Sequence, residues 1–359
     1  MPQPVRVLII DDSALVRRLL SMGLSMDPGI EVMGAAASAT EAWALMQASK
    51  PDVITLDVEM PATDGVTFLS RYMQVMPVPT VIISSLTSEA APLTLQAMEA
   101  GAVDVIEKPS VGLGDGLVIF MREVCERVRM AAQARPVARR KVAARGAPPT
   151  APKAACPPPS QLRLVLLGSS TGGVQALARI LPMFPPDGPP IVIVQHMPAG
   201  FTGAFARRLD GSCGLHIREA ADGDELQPGT AYIAPGGVQH LTLRRLGRQG
   251  WRAQLVESDP VCFSRPSVDV LFQSVARDGA LDVAAAVLTG MGRDGAAGLL
   301  ALRNAGARTF AQDEATSVVF GMPFAAADLG AAQEIVALDD IPDRIIRSFR
   351  PVALRAGRI

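Results

Sequence analysis

Short, nearly continuous apolar runs recur through the first third of the chain, at Val5–Ile10, Val53–Leu56, Thr80–Ile83 and Val103–Ile106. Continuous rather than alternating runs suit strands buried on both faces. The segments between them have helical spacing: in Ser13–Met26, Leu15/Leu19 and Val16/Leu20 recur four residues apart. Strands alternating with helices predict a parallel sheet covered on both sides.

The pattern stops at about residue 131. Residues 131–160 carry seven prolines (Pro136, Pro148, Pro149, Pro152, Pro157, Pro158, Pro159), six basic residues and no acidic one. Such a stretch cannot bury a core and reads as a semi-extended linker. Alternation resumes with Leu162–Leu167, Ile191–Gln195, Leu281–Leu288 and Arg308–Ala311. Residues 210–260 are rich in turns and predict antiparallel hairpins. A chain of 359 residues also exceeds one ordinary core. The expected organisation is an α/β domain over 4–125, a Pro/Ala/Arg-rich linker over 126–160 and a second α/β domain over 161–352.

Composition narrows the function classes. The net charge of −1 lacks the basic excess of a nucleic-acid binder. No apolar run approaches the roughly 20 residues that cross a bilayer, and Met1-Pro2-Gln3 does not open a signal peptide, so a cytoplasmic protein without direct membrane insertion is expected. Cys125, Cys156, Cys213 and Cys262 are isolated. They suggest free thiols rather than a zinc site or a disulfide framework.

Asp11 and Asp12 follow the first predicted strand, and Asp57 follows Val53–Leu56. In a parallel sheet these strand ends converge on the edge where ligands bind. Gathered carboxylates repel unless a hard divalent cation such as Mg²⁺ sits among them. Helix capping accounts for Asp12 but not for the set. Ser84-Ser85 and Glu107-Lys108-Pro109 end two further strands, adding a hydroxyl and an ammonium. That set is equipped for phosphoryl transfer to Asp57. DDS at 11–13, LDVEMPATDG at 56–65, the serine pair and EKP resemble a two-component receiver domain, with its flavodoxin-like fold. The resemblance implies that Asp57 accepts the phosphoryl group, that Asp11, Asp12, Asp57 and the Glu59 backbone carbonyl hold Mg²⁺, and that Lys108 and Ser84 read out phosphorylation. Strand alignment favours Ser84 over Ser85.

In the second domain Leu162–Leu167 runs into Gly168-Ser169-Ser170-Thr171-Gly172-Gly173 and a helix-like segment. This is G-x-S-x-G on a strand–turn–helix, which thrusts a serine hydroxyl out of a tight turn. A phosphate-binding loop has a similar outline, but the full G-x-G-x-x-G spacing is absent and no G-K-[ST] follows. Of the three histidines, His196 ends the next strand, His216 lies in a polar stretch, and His240 follows a glycine turn. Asp294 lies in the glycine-rich end of Leu281–Leu288, with Asp313 as a fallback. Ser170, His196 and Asp294 thus stand at three strand ends, as a nucleophile, base and orienting acid require.

GSSTGG, VIVQHMP, YIAPGG, LTGMGRDGA and AQDEATSVVFGMP resemble, in content and order, the catalytic domain of the chemotaxis protein-glutamate methylesterase (CheB) family. With the receiver, the likeness spans nearly everything but the linker. It implies a doubly wound, Rossmann-like parallel sheet carrying a serine hydrolase that needs no cofactor for ester hydrolysis. Ser170 would be the nucleophile, His196 the base and acid, and Asp294 its orienter, with Thr171 and Met291 bordering the oxyanion and substrate pocket. Ser169, where a small residue is usual, is the internal rival to Ser170. Methyl-accepting chemotaxis receptors would be the substrate, through demethylation of glutamyl esters and deamidation of glutamines. A chemotaxis histidine kinase would be the phosphodonor, and no nucleic acid is implied. The unphosphorylated receiver is expected to cover the catalytic cleft.

Overall fold

The computed structural model describes residues 3–60, 64–85, 90–108, 115–134, 163–247 and 249–349. The first unit contains β1 (Val5–Ile10), α1 (Ala14–Ser25), β2 (Ile30–Ala36), α2 (Ala39–Ala48), β3 (Val53–Leu56), α3 (Gly65–Val75), β4 (Thr80–Ser84), α4 (Ala90–Ala100), β5 (Asp104–Glu107) and α5 (Asp115–Ala131). Its five strands are parallel in the order β2-β1-β3-β4-β5. β1 lies between β2 and β3, so the residues following β1 and β3 meet at the switch point where such sheets bind ligands.

Local chemistry sets the helix starts. The Ser13 and Ser38 hydroxyls and the Asp64 carboxylate accept from the first-turn amides of α1, α2 and α3. Ser13, not Asp12, caps α1, which leaves the Asp11–Asp12 pair at the sheet edge. α5 runs to Ala131 because Val124, Val128 and Ala131 are buried beneath it. The boundary expected at 125 therefore falls inside a helix, and 126–131, read as linker, is helical. From residue 135 to 160 the linker, with Cys156, lies outside the described residues, as do Pro109 and residues 61–63.

The second unit contains β6 (Leu164–Ser169), α6 (Gly173–Ile180), β7 (Ile191–Gln195), α7 (Phe201–Asp210), β8 (His216–Glu219), β9 (Thr230–Ile233), β10 (Gln239–Arg245), β11 (Trp251–Glu257), α8 (Val268–Arg277), β12 (Val283–Val287), α9 (Ala296–Asn304), β13 (Arg308–Gln312), α10 (Met322–Asp328), β14 (Glu334–Val336) and α11 (Ile341–Ser348). Seven strands form a parallel sheet in the order β14-β13-β12-β6-β7-β9-β8. The chain grows from β6 to one side and later returns to the other, which makes β6 the switch strand. Alternate residues feed opposite cores: Leu164 and Leu166 on one face, Val165 and Leu167 on the other. Within 210–260, β10 and β11 form the expected antiparallel pair. β8 and β9 instead join the main sheet in parallel, because α7 and the long 220–229 connection supply the crossovers that parallel pairing needs. β10 is stitched to α8, with the Leu243 amide donating to Ser274 Oγ at 2.9 Å and the Arg245 amide to Asp278 Oδ2 at 2.9 Å. Among the described residues no helix is long and apolar enough to cross a membrane.

Gly65 opens α3 against the end of β3, where a Cβ would collide with the Asp57 carbonyl and lie 2.8 Å from Val58 Cα. Backbone cannot yield as a flexible side chain can. Gly65→Ala is expected to destabilise the first unit by about 1–3 kcal/mol, measured as a lower urea midpoint; an unchanged midpoint would contradict this packing.

Candidate active site

β6 and β7 are in register, with Ser169 opposite Gln195, so Ser170 and His196 are the next residues on adjacent strand ends. β12 flanks β6 on its other side, and Asp294 lies in the loop that follows it. The Ser170 backbone is clamped: its amide donates to the Thr289 carbonyl at 3.0 Å, and its carbonyl accepts from the Gly173 amide at 2.7 Å and from Gln195 Nε2 at 2.9 Å. Gly172, at φ 78°, turns the chain sharply into α6. The rival Ser169 is fully buried and donates to Gln195 Oε1 at 2.6 Å, so its hydroxyl is used in holding the turn. The Ser170 hydroxyl makes no hydrogen bond among the described residues.

His196 Nε2 lies 2.8 Å from Asp294 Oδ2. Asp294 also accepts from the Val268 amide at 2.7 Å, the Asp269 amide at 3.0 Å and the Ser267 hydroxyl at 2.8 Å. The carboxylate therefore sits on the N-terminus of α8, where the helix dipole favours negative charge. Burial opposes its ionisation, but the His196 imidazole, the Asp269 amide and the Ser267 hydroxyl outweigh it and hold the carboxyl below its ordinary 3.8. An ionised carboxylate only accepts hydrogen bonds, so the neutral imidazole carries its proton on Nε2 and leaves Nδ1 as the proton acceptor. That nitrogen faces the Ser264 hydroxyl at 3.3 Å. The structure thus brings His196 and Asp294 into contact beside Ser170, while the imidazole's second nitrogen bonds Ser264 rather than Ser170.

The amides of Thr171 and Met291 have no hydrogen-bond acceptor among the described residues and border the same strand ends. His216 is exposed and pairs with Asp210 at 3.0 Å. His240 is fully buried, and both its nitrogens bond backbone, the Ser267 amide and the Asp259 carbonyl, each at 3.1 Å. Asp313 caps its own turn through the Thr316 amide and hydroxyl, away from His196. Sequence reasoning missed Ser264, Ser267 and Gln195. A serine just before a helical run is an N-cap signal, so Ser267 was findable; Ser264 and Gln195 matter only through contacts across the fold.

The first unit covers this site. The Gly172 amide donates to the Val103 carbonyl at 3.2 Å, Gln175 Nε2 donates to the Ala102 carbonyl at 2.7 Å, and the Thr171 hydroxyl lies 3.4 Å from Asp104 Oδ2. Arg208 binds Glu99 through both carboxylate oxygens. Val319, Val318 and Met291 pack into the apolar cluster of Val124 and Val128 on α5.

At the edge of the first sheet, Lys108 Nζ reaches Asp57 Oδ2 at 2.5 Å and Asp11 Oδ2 at 2.9 Å. Burial disfavours the ammonium, yet Asp57 and Asp11 hold it above its ordinary value. Burial also raises Asp11, against the pull of Lys108. Asp11, Asp12 and Asp57 offer oxygens within 4.8 Å of one another, with the single Lys108 ammonium set against the buried Asp11 and Asp57 carboxylates. A hard divalent cation fits that donor set. The Ser84 hydroxyl is buried and accepts from Thr94 on α4 at 3.0 Å, whereas Ser85 binds the Glu59 carboxylate.

A family model described as CheB methylesterase matches residues 165–345, and one described as response regulator receiver domain matches 7–112. A Cereibacter sphaeroides protein named protein-glutamate methylesterase/protein-glutamine glutaminase of group 2 operon is 57% identical over 95% of this chain and 91% of its own length. A Bordetella bronchiseptica protein-glutamate methylesterase/protein-glutamine glutaminase is 47% identical over 95% and 96%. The crystal structure of the Thermotoga maritima CheB methylesterase catalytic domain is 40% identical, with a TM-score of 0.50, over 52% of this chain and 98% of that one.

Because the Asp294 carboxyl is held below 3.8, its contribution to stability is complete above about pH 5 and is lost as pH falls through the unfolded and then the lowered folded value. Asp294→Asn, though less stable overall, is expected to show a flatter decline in urea midpoint between about pH 5 and about pH 2. Parallel declines in both proteins would contradict the assignment.

Proposed function

The chain belongs to the CheB methylesterase family, and from that premise we propose that Ser170, His196 and Asp294 hydrolyse glutamyl γ-methyl esters. The protein is a phosphorylation-regulated protein-glutamate methylesterase and protein-glutamine glutaminase serving chemotaxis-type adaptation. The observation that carries the site assignment is the His196–Asp294 pair at 2.8 Å on the strand end next to that of Ser170.

In the acylation step Ser170 Oγ bonds to the ester carbonyl carbon while His196 Nδ1 takes its proton. Asp294 stabilises the imidazolium through Nε2–H. The Thr171 and Met291 amides, with the N-terminal end of α6, are the donors for the oxyanion. The tetrahedral intermediate collapses, His196 returns the proton to the departing oxygen, and methanol leaves. Water, deprotonated by the same histidine, then releases the glutamate carboxylate and regenerates Ser170. A glutamine side chain follows the same path with ammonia as leaving group.

Asp57 is the proposed phospho-acceptor, with a chemotaxis histidine kinase as donor. Asp11, Asp12, Asp57 and the Glu59 carbonyl would hold Mg²⁺, which neutralises charge during phosphoryl transfer when bound. Lys108 pairs with the carboxylate to be modified, and Ser84 would report the change to α4. The interface over Thr171 and Gly172 supports inhibition by the unphosphorylated receiver domain and its relief as phosphorylation shifts the population to an open arrangement. The substrates are methyl-accepting chemotaxis receptors, approached from the cytoplasmic side.

Ser170→Ala is expected to lower methanol release from methylated receptor membranes by about 10⁴-fold or more with the urea midpoint retained; undiminished release would refute the assignment. Asp57→Asn is expected to keep basal activity but to lose its rise with a small phosphodonor, read in the same assay. A full response in that variant would place phosphorylation elsewhere.

A further inference from the structure

Residues 258–267 connect β11 to α8 and pass over the imidazole. At their tip Val261–Ser264 form a tight turn closed by two bonds, Val261 amide to Ser264 carbonyl at 3.2 Å and Ser264 amide to Val261 carbonyl at 2.9 Å. Both central residues have left-handed backbone, Cys262 at φ 50° and Phe263 at φ 62°. This is the sign pattern of a type I′ turn, for which Asn and Gly are suited and a bulky aromatic is not. Phe263 gains nothing from packing in exchange, since it is 93% exposed. Neither backbone preference nor the core accounts for a phenylalanine there.

The adjoining residue touches the chemistry. Ser264 Oγ lies 3.3 Å from His196 Nδ1, the nitrogen left to accept the Ser170 proton. The base of the segment is pinned: Arg265 donates to the Gly237 and Ser258 carbonyls at 3.1 and 3.0 Å, and His240 holds Asp259 and Ser267. Apolar surface continues from the tip, because Cys262 lines a cavity of about 550 Å³ together with Phe324 and Leu329, both about half exposed.

We propose that this turn senses the protein substrate: Phe263 seats apolar surface flanking the glutamyl ester, and Ser264 occupies His196 Nδ1 until that contact shifts the turn and yields the nitrogen to Ser170. The inference rests on the esterase reading above. Phe263 is a specificity determinant and Ser264 a positioning residue, neither taking part in bond making. No covalent step is added; one hydrogen bond to Nδ1 is exchanged for another.

The test uses the full-length protein with a phosphodonor present throughout. It reads methanol release from methylated receptor membranes and from N-acetylglutamate γ-methyl ester, and labelling of Ser170 by phenylmethylsulfonyl fluoride without receptor. Phe263→Asn, whose new side chain tolerates the left-handed backbone, is expected to raise KM for receptors about tenfold and to leave kcat/KM for the small ester unchanged. Ser264→Ala is expected to label about fivefold faster, the worth of about one hydrogen bond, and Ser264→Thr to restore the wild-type rate. Unchanged receptor KM in Phe263→Asn, or labelling of Ser264→Ala at or below the wild-type rate, overturns the proposal. A wild-type protein that neither releases methanol nor labels at Ser170 overturns the esterase reading beneath it, whereas an active wild type with unaltered variants removes the turn's role alone.

Discussion

A buried carboxylate at the start of α8 is the constraint on which the catalytic half depends. Taking such a charge out of water costs several kcal/mol unless donors surround it. Asp294 has four: two α8 amides, the Ser267 hydroxyl and His196 Nε2. They fix its charge, the charge fixes the tautomer of His196, and the tautomer decides which nitrogen can serve as base. His240 extends the arrangement one layer outward, because its ring fixes the Ser267 amide and, through it, the position of the cap. Loosening any of these members exposes an unpaired buried group, which explains why so many polar contacts converge on one loop.

The two units meet where this machinery is most sensitive. Val103 and Asp104, at the start of β5, touch Gly172 and Thr171, while Lys108, just past the end of that strand, binds Asp57. One short strand therefore has the Asp11–Asp57 carboxylate cluster at one end and the Ser170 turn at the other. Gln175 and Arg208 strengthen the contact from α6 and α7 toward α4, so a change at the carboxylate cluster has a short route to the active-site cover through rigid secondary structure.

Much of this was legible in the chain. Uninterrupted apolar runs such as Ile191–Gln195 gave strand limits that the structure reproduces, because strands buried on both faces need little beyond hydrophobicity. Val103 was expected inside a strand yet lies just before it, and Leu281 stands exposed two residues ahead of β12; run ends are set by neighbouring strands rather than by the run itself. Residues 210–260 were legible only in part. The turn-rich sequence does contain an antiparallel hairpin, β10–β11, but it gave no sign that β8 and β9 pair in parallel, a choice that rests on partners far along the chain. The candidate site was readable because parallel strand ends must gather at one edge, so Ser170, His196, Asp11 and Asp57 could be placed by position alone.

Sequence by itself determined the α/β class, the two-unit plan, the carboxylate cluster and the serine turn, since each follows from hydrophobic period and from residue types at strand ends. Only tertiary structure decided that Ser169 is used in packing, that Asp294 rather than Asp313 meets the imidazole, that Ser264 holds its other nitrogen, and that β5 lies over Thr171. Those outcomes depend on angstrom-scale distances between segments up to 98 residues apart, which no local pattern encodes.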